Sequence, residues 1–306
     1  EGQGGHSPLS FLSWNADGMG LRMKLDDKKA LVGETEMPAI WKTIGSHKSD
    51  VIAIQEVRLP ANTKLRGKQG DGQERIRATL NTTTHANIEQ RNKFLKYLTT
   101  NALKGYSVHL SLADWKYAGS ALLIREGVEG PRFSFNIDDL EKAHDPEGRV
   151  IIAEFSDLVV VTTYVPCCGK TDASRERRAE WDERMEAFLK RKRDEGKPCI
   201  WMGDLNVAKT DADVTHPKFF RTTQVKESVT PSKKDDAGFP GFTKNEQRRF
   251  GDILDSADLV DAYRELHPAV VPVPYSEKAY TWRGTSKSSD LLYRKGMRLD
   301  YTCLSR

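Results

Sequence analysis

Several apolar runs in this chain end in polar residues of the kinds that hold metals, orient water or grip phosphate. Asn15 and Asp17 follow Phe11-Leu12-Ser13-Trp14, and Gln55 and Glu56 follow Val51-Ile52-Ala53-Ile54. Tyr164 closes Val159-Val160-Val161-Thr162-Thr163, and Asp204 and Asn206 follow Cys199-Ile200-Trp201-Met202-Gly203. Asp300 lies inside Met297-Arg298-Leu299-Asp300-Tyr301. Strand ends in layered α/β folds commonly deliver side chains to one crevice. Carboxylates and amides gathered there suit Mg²⁺, a hard cation that takes oxygen ligands and keeps several waters. Taken alone, each of these residues is more often a turn or capping group. The joint pattern is what points to chemistry.

Such residues need strands to position them. Short β-rich runs cover residues 10–14, 51–57, 107–112, 120–125, 150–155, 158–165 and 199–203. Several are continuously apolar, which predicts strands buried on both faces. Helical periodicity appears between them. In 38–46, Ile40, Trp41 and Ile44 follow an early Pro38. Residues 88–98, 173–193 and 244–258 also read as helices. In 173–193, Trp181, Met185, Phe188 and Leu189 form one stripe while the other face is dense in Glu and Arg, which predicts core packing. In 244–258, Phe250, Ile253 and Leu254 share a face. Strands and helices alternate along the whole length, so the class is α/β or α+β. No Gly/Ser linker, low-complexity tract or short repeat interrupts it. The simplest organisation is a flexible N-terminal segment, 1–9, and a single domain, 10–306. Residues 61–85 and 209–241 read as long surface loops.

The 306 residues carry 38% hydrophobic and 30% charged residues, an ordinary globular balance. No run of about 18 apolar residues is present, so no transmembrane helix is expected and no membrane partner is implied. The first residues, Glu1-Gly2-Gln3-Gly4-Gly5, lack the basic-then-apolar order of a secretory signal. They also lack an initiator Met, which suggests a processed or trimmed chain. Four cysteines are too few for a disulfide scaffold, Cys167 and Cys168 are adjacent, and no CxxC pair suggests zinc. A reducing compartment follows. The net charge of +4 is unevenly spread. Residues 61–100 hold eight Lys and Arg against three Asp and Glu, and residues 218–249 hold eight against four. Two basic stretches fit a polyanionic partner, although basic solvated loops account for them equally well.

Ser13-Trp14-Asn15-Ala16-Asp17-Gly18 resembles the opening motif of the exonuclease III family of abasic-site endonucleases, and Ile54-Gln55-Glu56 resembles its metal-ligand motif. Residues 147–155 (EGRVIIAEF) and 161–166 (VTTYVP) are similar to the animal-type branch. Residues 203–208 (GDLNVA) and 298–301 (RLDY) complete the set, and 241–248 (GFTKNEQR) resembles a segment typical of abasic-site endonucleases within the wider endonuclease/exonuclease/phosphatase superfamily. The likeness runs from residue 10 to residue 306. It implies a four-layered α/β sandwich, two mixed β-sheets packed face to face with flanking helices. It implies Mg²⁺, with Mn²⁺ as a substitute, held by Glu56 with Asp17 and Asn15 close by. Asp204 would activate or position the attacking water, Asn206 would orient it, and Tyr164 would bond the scissile phosphate. Trp282, Met297 and Leu299 match positions that wall the pocket for a base-less sugar, with plain core packing as the competing role for Trp282 and Leu299. The substrate would be double-stranded DNA with abasic sites, cut 5′ to the site to leave a 3′-hydroxyl, with 3′-exonuclease or 3′-phosphodiesterase activity alongside. A monomer in the nucleus is expected, with the mitochondrion as the alternative.

The sequence also departs from the family. Cys167 stands where the family usually has an Asn that reaches phosphate, and a thiol is a weak donor. Lys170 lies near the place of a DNA-contacting Arg; it keeps the charge and loses the planar fork. In the family, Asp300 orients a His in a later Ser-Asp-His motif, and none of His6, His47, His85, His109, His144, His216 or His267 sits in such a context. The expectation is a chain that stops short of that motif and of a terminal strand. Two other functions compete: a superfamily nuclease acting on RNA or another phosphoester, and a catalytically impaired nucleic-acid-binding module. The 241–248 segment argues against the first, and retention of Glu56, Asp204 and Asn206 together argues against the second.

Overall fold

The computed structural model describes residues 5–22, 38–59, 86–113, 117–138, 147–169, 171–223, 230–268, 280–284 and 292–306. The chain divides into two compact units, Glu1–Tyr164 and Val165–Arg306.

The first unit contains β1 (Phe11–Asn15), α1 (Met19–Arg22), α2 (Ala39–Ser46), β2 (Val51–Gln55), α3 (Ala86–Thr100), β3 (Tyr106–Ser111) and β4 (Ser120–Arg125). It ends with β5 (Arg132–Ser134), β6 (Val150–Glu154) and β7 (Val159–Tyr164). β1 and β2 are parallel, with Asn15 opposite Gln55. β4 runs antiparallel to both β2 and β3, giving a mixed sheet of order β1-β2-β4-β3. All five residues of β2 are buried because layers cover both of its faces. That double burial is why the strand reads as a continuous apolar run. On one face, Trp41 and Ile44 of α2 and Phe94, Leu95 and Leu98 of α3 pack against Ile52, Ile54, Leu110 and Leu123. Trp14 meets Trp41 edge-on, ring centroids 5.3 Å apart. The other face meets the antiparallel β5-β6-β7 strands. Gln55 Nε2 donates across that gap to Thr162 Oγ1 at 3.0 Å, and His109 stacks on Phe133 with centroids 4.0 Å apart. The N-terminal segment, expected to be flexible, is fastened from His6 onward. His6 bridges to Val128, and the Leu9 N–H donates to Asp50 at 2.8 Å.

The second unit contains α4 (Asp172–Asp194), β8 (Cys199–Asp204), α5 (Pro217–Thr222), α6 (Lys244–Ser256), β9 (Leu259–Asp261), α7 (Ala262–Leu266), β10 (Trp282–Arg283), β11 (Gly296–Met297) and β12 (Asp300–Ser305). β12 lies antiparallel between β8 and β9. α4 and α6 pack on each other and on these strands. Trp181, Met185, Phe188 and Leu189 are buried, as the stripe predicts. Phe250 sits edge-on to both Trp201 and Tyr301, at 6.0 and 4.9 Å.

The class is α/β, with helices flanking mixed and antiparallel strands. The expected strands and helices all form, with bounds that agree to within two residues. The expected long loop at 209–241 needs correction. It contains a 3₁₀ turn at Asp211–Asp213, the helix α5 and a second 3₁₀ turn at Lys234–Asp236. Phe220 anchors it, fully buried with Phe242, Val214 and Ala208. One buried aromatic holds the segment down, too short a pattern for periodicity to register. Residues 224–229 and 60–85, the latter taking in the whole of the other expected loop, lie outside the described residues.

Candidate active site

In the first unit, the parallel pairing of β1 and β2 continues past the strand ends. The Ala16 N–H donates to Gln55 O, Gly18 N–H to Glu56 O and Met19 N–H to Val57 O. This ladder sets Asn15 and Asp17 beside Glu56. Asn15 Nδ2 donates to Glu56 Oε1 at 2.9 Å, and its Oδ1 accepts the Asp17 N–H at 2.9 Å. Arg58 Nη2 lies 2.5 Å from Glu56 Oε2 and 2.7 Å from Asp17 Oδ1. Two carboxylates therefore converge on a single cationic atom. Burial alone would lower the Arg58 pKa; the hydrogen bond and charge of Glu56, aided by Asp17, more than offset it, and the pKa is raised. The loop carrying Glu56 and Arg58 is braced from the far side. Val57 N–H donates to Gly119 O, Arg58 N–H to Ala118 O, and Gly119 N–H to Glu147 O.

Glu147 opens the 147–155 motif, and its neighbours prepare Tyr164. Gly148 has φ +66°, and a Cβ there would lie 2.5 Å from Ser111 O and 2.6 Å from Leu112 N. Only glycine fits that approach without backbone movement. Arg149 is buried. It donates to Glu147 Oε2 at 2.5 Å, to Tyr164 O at 2.9 Å and to Tyr117 Oη at 3.1 Å. Its guanidinium carbon lies 4.5 Å from the Tyr164 ring centroid. Tyr164 is thus held by its carbonyl and by a cation–π contact.

In the second unit, Asp204 ends β8 and pairs across the ladder with Asp300, the first residue of β12. Asp204 Oδ1 accepts the Asn206 N–H at 2.9 Å, and Asn206 Nδ2 donates to Val165 O at 2.8 Å. The Val165 N–H returns to Asp204 O at 2.9 Å. Thr281 Oγ1 accepts the N–H groups of Leu299 and Asp300 at 3.0 and 3.1 Å. Cys167 is exposed beside this loop and Cys168 is buried. Met297 and Leu299 are buried in the cluster of Phe220 and Phe242, and half-buried Trp282 packs on Phe239 at 6.1 Å. Core packing thus accounts for Met297 and Leu299 at least in part. Lys170 lies outside the described residues.

The 241–248 segment braces the Asp204 loop. Ala208 N–H donates to Gly241 O at 2.7 Å, and Gln247 Nε2 donates to Ala208 O at 2.8 Å. Thr243 caps α6 in a capping box with Glu246. The fully buried Glu246 carboxylate also accepts the Gly241 N–H. Behind Leu299, Arg298 donates to Asp213 at 2.9 Å and to Asp261 at 2.5 Å, and Arg264 joins the same Asp213.

The structure therefore brings Asn15, Asp17 and Glu56 together in one unit, and Asp204, Asn206 and Asp300 together in the other. Sequence reasoning misses the arginines, Arg58, Arg149 and Arg178. Arg178 had a signal: it falls on the stripe of Trp181 and Met185, where an unexplained charge among core positions marks a buried partner.

The pattern that matches proteins of the Endonuclease/Exonuclease/phosphatase family spans residues 12–305. The chain belongs to this family of hydrolases. It is similar to a DNA-(apurinic or apyrimidinic site) endonuclease of Arabidopsis thaliana, 38% identical over 303 residues, covering 98% of this chain and 76% of that one. It is also similar to the enzyme of the same name from Plasmodium berghei, at 30% identity, covering 97% of this chain and 56% of that protein. Family members of known structure share the fold. An AP endonuclease from Archaeoglobus fulgidus matches with a TM-score of 0.60 and 21% identity, over 97% of this chain and 86% of that one. One from Leishmania major matches at 0.60 and 22%, over 98% and 79%. Family membership gives the paired carboxylates a hydrolytic context. Among the described residues, no group of three or more His, Cys, Asp or Glu could hold a metal. The cluster at Glu56 is two carboxylates plus the amide of Asn15. The two carboxylates already converge on one cation, and Asn15 orients them by donating to Glu56 and accepting the Asp17 N–H, so the pair fits Mg²⁺, which takes oxygen ligands and retains waters.

Proposed function

We propose that this chain is a Mg²⁺-dependent endonuclease that cuts double-stranded DNA 5′ to an abasic site and leaves a 3′-hydroxyl. The observation that carries this reading is the convergence of the Asp17 and Glu56 carboxylates, with Asn15 bonded to both residues, at the parallel ends of β1 and β2. Relatives named for abasic-site cleavage, at 38% and 30% identity, support the substrate. Glu56 and Asp17 would hold the metal, which when bound neutralises charge on the phosphoryl oxygens and the leaving oxygen. Asp204 takes the proton of the attacking water, and Asn206 orients that water with its fixed amide. Tyr164 donates its hydroxyl to the phosphate. Trp282 and Leu299 form the apolar wall for the sugar. The protein would act as a monomer in the nucleus. A 3′-exonuclease or 3′-phosphodiesterase activity uses the same groups, since each is hydrolysis of a phosphoester.

The test is incision of a duplex oligonucleotide carrying one abasic-site analogue, with Mg²⁺ and with chelator, beside Glu56→Ala. Cutting 5′ to the site that needs Mg²⁺ and disappears in the variant is expected. Salt-sensitive binding without cutting, by a folded chain, would refute the enzymatic reading in favour of a binding module. Preferential cutting of RNA would refute the substrate.

A further inference from the structure

Arg178 lies in the first half of α4, on the stripe that faces the core, and its side chain is almost wholly buried. Its guanidinium reaches both chain segments that carry the second unit's candidate chemistry. Nη1 donates to Pro166 O at 3.1 Å and to Asn206 O at 3.0 Å, and Nη2 donates to Leu205 O at 3.1 Å. Nε donates to Asp182 Oδ1 at 2.8 Å, and Nη1 lies 3.8 Å from Glu246 Oε1. Three backbone carbonyls on two loops thus close on one planar cation. Asn206, whose carbonyl is one of them, has the left-handed φ of +49°. It is also the residue that ties its own N–H to Asp204 and its side chain to Val165.

We infer that Arg178 is the positioning residue of the Asp204–Asn206 pair, fixing the loop after β8 against the loop after Tyr164 so that both groups meet the scissile phosphate in register. This inference rests on the hydrolytic reading of Asp204 and Asn206 given above. A carbonyl accepts one good bond from many donors, but three carbonyls from two loops need a rigid fork. Guanidinium supplies it and ammonium does not. The charge is needed as well as the shape. Burial alone would lower the Arg178 pKa, but Asp182 and Glu246 outweigh that and raise it, so the group stays a cation in the core. Glu246 in turn holds Gly241 and Thr243, which extends the clamp to the third segment bracing the site. Placement errors of about 1 Å cost about 10²-fold in rate when binding is intact. The loss of this clamp therefore falls on kcat.

The experiment compares Arg178→Lys with Arg249→Lys on duplex DNA carrying an abasic-site analogue. Arg249 donates to the other oxygen of Asp182 and contacts no site carbonyl, so its variant disturbs the same ion network without the loops. Arg178→Lys is expected to lower kcat by about 30- to 100-fold and leave KM within about threefold. It is also expected to speed hydrogen exchange at the Val165 and Asn206 amides. Arg249→Lys is expected to leave kcat and those amides near wild type. Equal losses in the two variants, a loss confined to KM, or unchanged kcat in folded Arg178→Lys would overturn the inference. Should Arg178→Lys not fold, Asp182→Asn serves instead. It removes the carboxylate that orients Nε, and it should lower kcat about three- to tenfold with KM held; no change in kcat would overturn the inference. Wild-type protein that fails to cut abasic DNA refutes the functional reading. The amide exchange of Arg178→Lys then still tests the clamp, and unchanged exchange at Val165 and Asn206 rejects it.

Discussion

Arg149→Met should unfasten Tyr164 at a cost that can be worked out in advance. Arg149 and Glu147 are both buried, and their atoms meet at 2.5 Å. Methionine keeps most of the stem volume and removes the charge. Glu147 is then left in the interior without its main partner, and breaking a buried pair costs about 3–5 kcal/mol. The same change removes the donor to Tyr164 O and the cation over its ring. We expect a loss of about 4 kcal/mol, which leaves a domain of ordinary stability folded. The double variant Glu147→Gln/Arg149→Met removes both charges. It should recover about 2 kcal/mol of that loss, because the buried unpaired carboxylate is gone. Urea unfolding of the wild type, both single variants and the double variant gives the coupling energy directly. Incision rates corrected for folded fraction should stay about tenfold down in both Arg149 variants, because Tyr164 has lost its two restraints. A loss under about 1 kcal/mol in Arg149→Met, or a double variant no better than the sum of the singles, would refute the reasoning.

Gly148→Ala should destabilise by about 2–4 kcal/mol in urea unfolding, since it adds a left-handed penalty to a backbone collision with Ser111. Asp213→Asn should cost about 1–3 kcal/mol at pH 7, because it takes a charged acceptor from both Arg298 and Arg264 while Asp261 still holds Arg298. Burial would raise the Asp213 pKa, but Arg298 and Arg264 outweigh it and depress it below 3.8. The carboxylate's contribution is thus full above the unfolded value and is lost as pH falls through the lower folded value. The gap between wild type and Asp213→Asn should therefore hold from pH 7 to pH 5 and narrow only below about 3.8; narrowing above pH 5 would count against it. Asp17→Gly should be more stable than Asp17→Ala by about 1 kcal/mol, because Asp17 has φ +47° and glycine meets no penalty there. Both should lose incision activity, and equal stabilities in thermal melts would reject the backbone argument.

The strand ends were legible in the sequence because position alone marks them. A polar residue that closes an apolar run has to emerge from the sheet, whatever the sheet's register. The central strand β2 was legible for a related reason, since two covering layers remove the usual alternation. β5, β9, β10 and β11 were not, because strands of two or three residues carry no period, and the six-residue β12 was read only as the motif around Asp300. The segment around Phe220 failed in the same way. What orients the site was written in single arginines. Arg58, Arg149 and Arg178 each pair with a carboxylate close in sequence, Glu56, Glu147 and Asp182, but their other partners (Asp17, the Tyr164 carbonyl, and the Pro166, Leu205 and Asn206 carbonyls) come near only by folding, and no local spacing foretells those. Arg178 alone left a trace, as a charge on an apolar stripe.

Backbone conformation is the other part that spacing does not encode, and here the structure says more than the motifs. Asp17, Glu56, Arg58 and Asn206 have φ of +47°, +49°, +50° and +49°. Each costs about 1–2 kcal/mol relative to a right-handed residue, and glycine would remove that cost. A chain under selection for stability alone has reason to place glycine at these positions, as it does at 18, 148 and 241. Lys48, Ala118, Asp258 and Arg294 share this conformation outside the candidate site, so a positive φ does not by itself mark a needed side chain; what sets the four apart is the set of bonds around the site that holds the strain in place. Asn15 accepts the Asp17 N–H, the Gly119 and Ala118 carbonyls accept those of Val57 and Arg58, and Arg178 donates to the Asn206 carbonyl. The arginine clamps and the strained residues are thus two sides of one arrangement: the chain turns sharply where the carboxylates and amides must leave the strands, and the buried network keeps it turned.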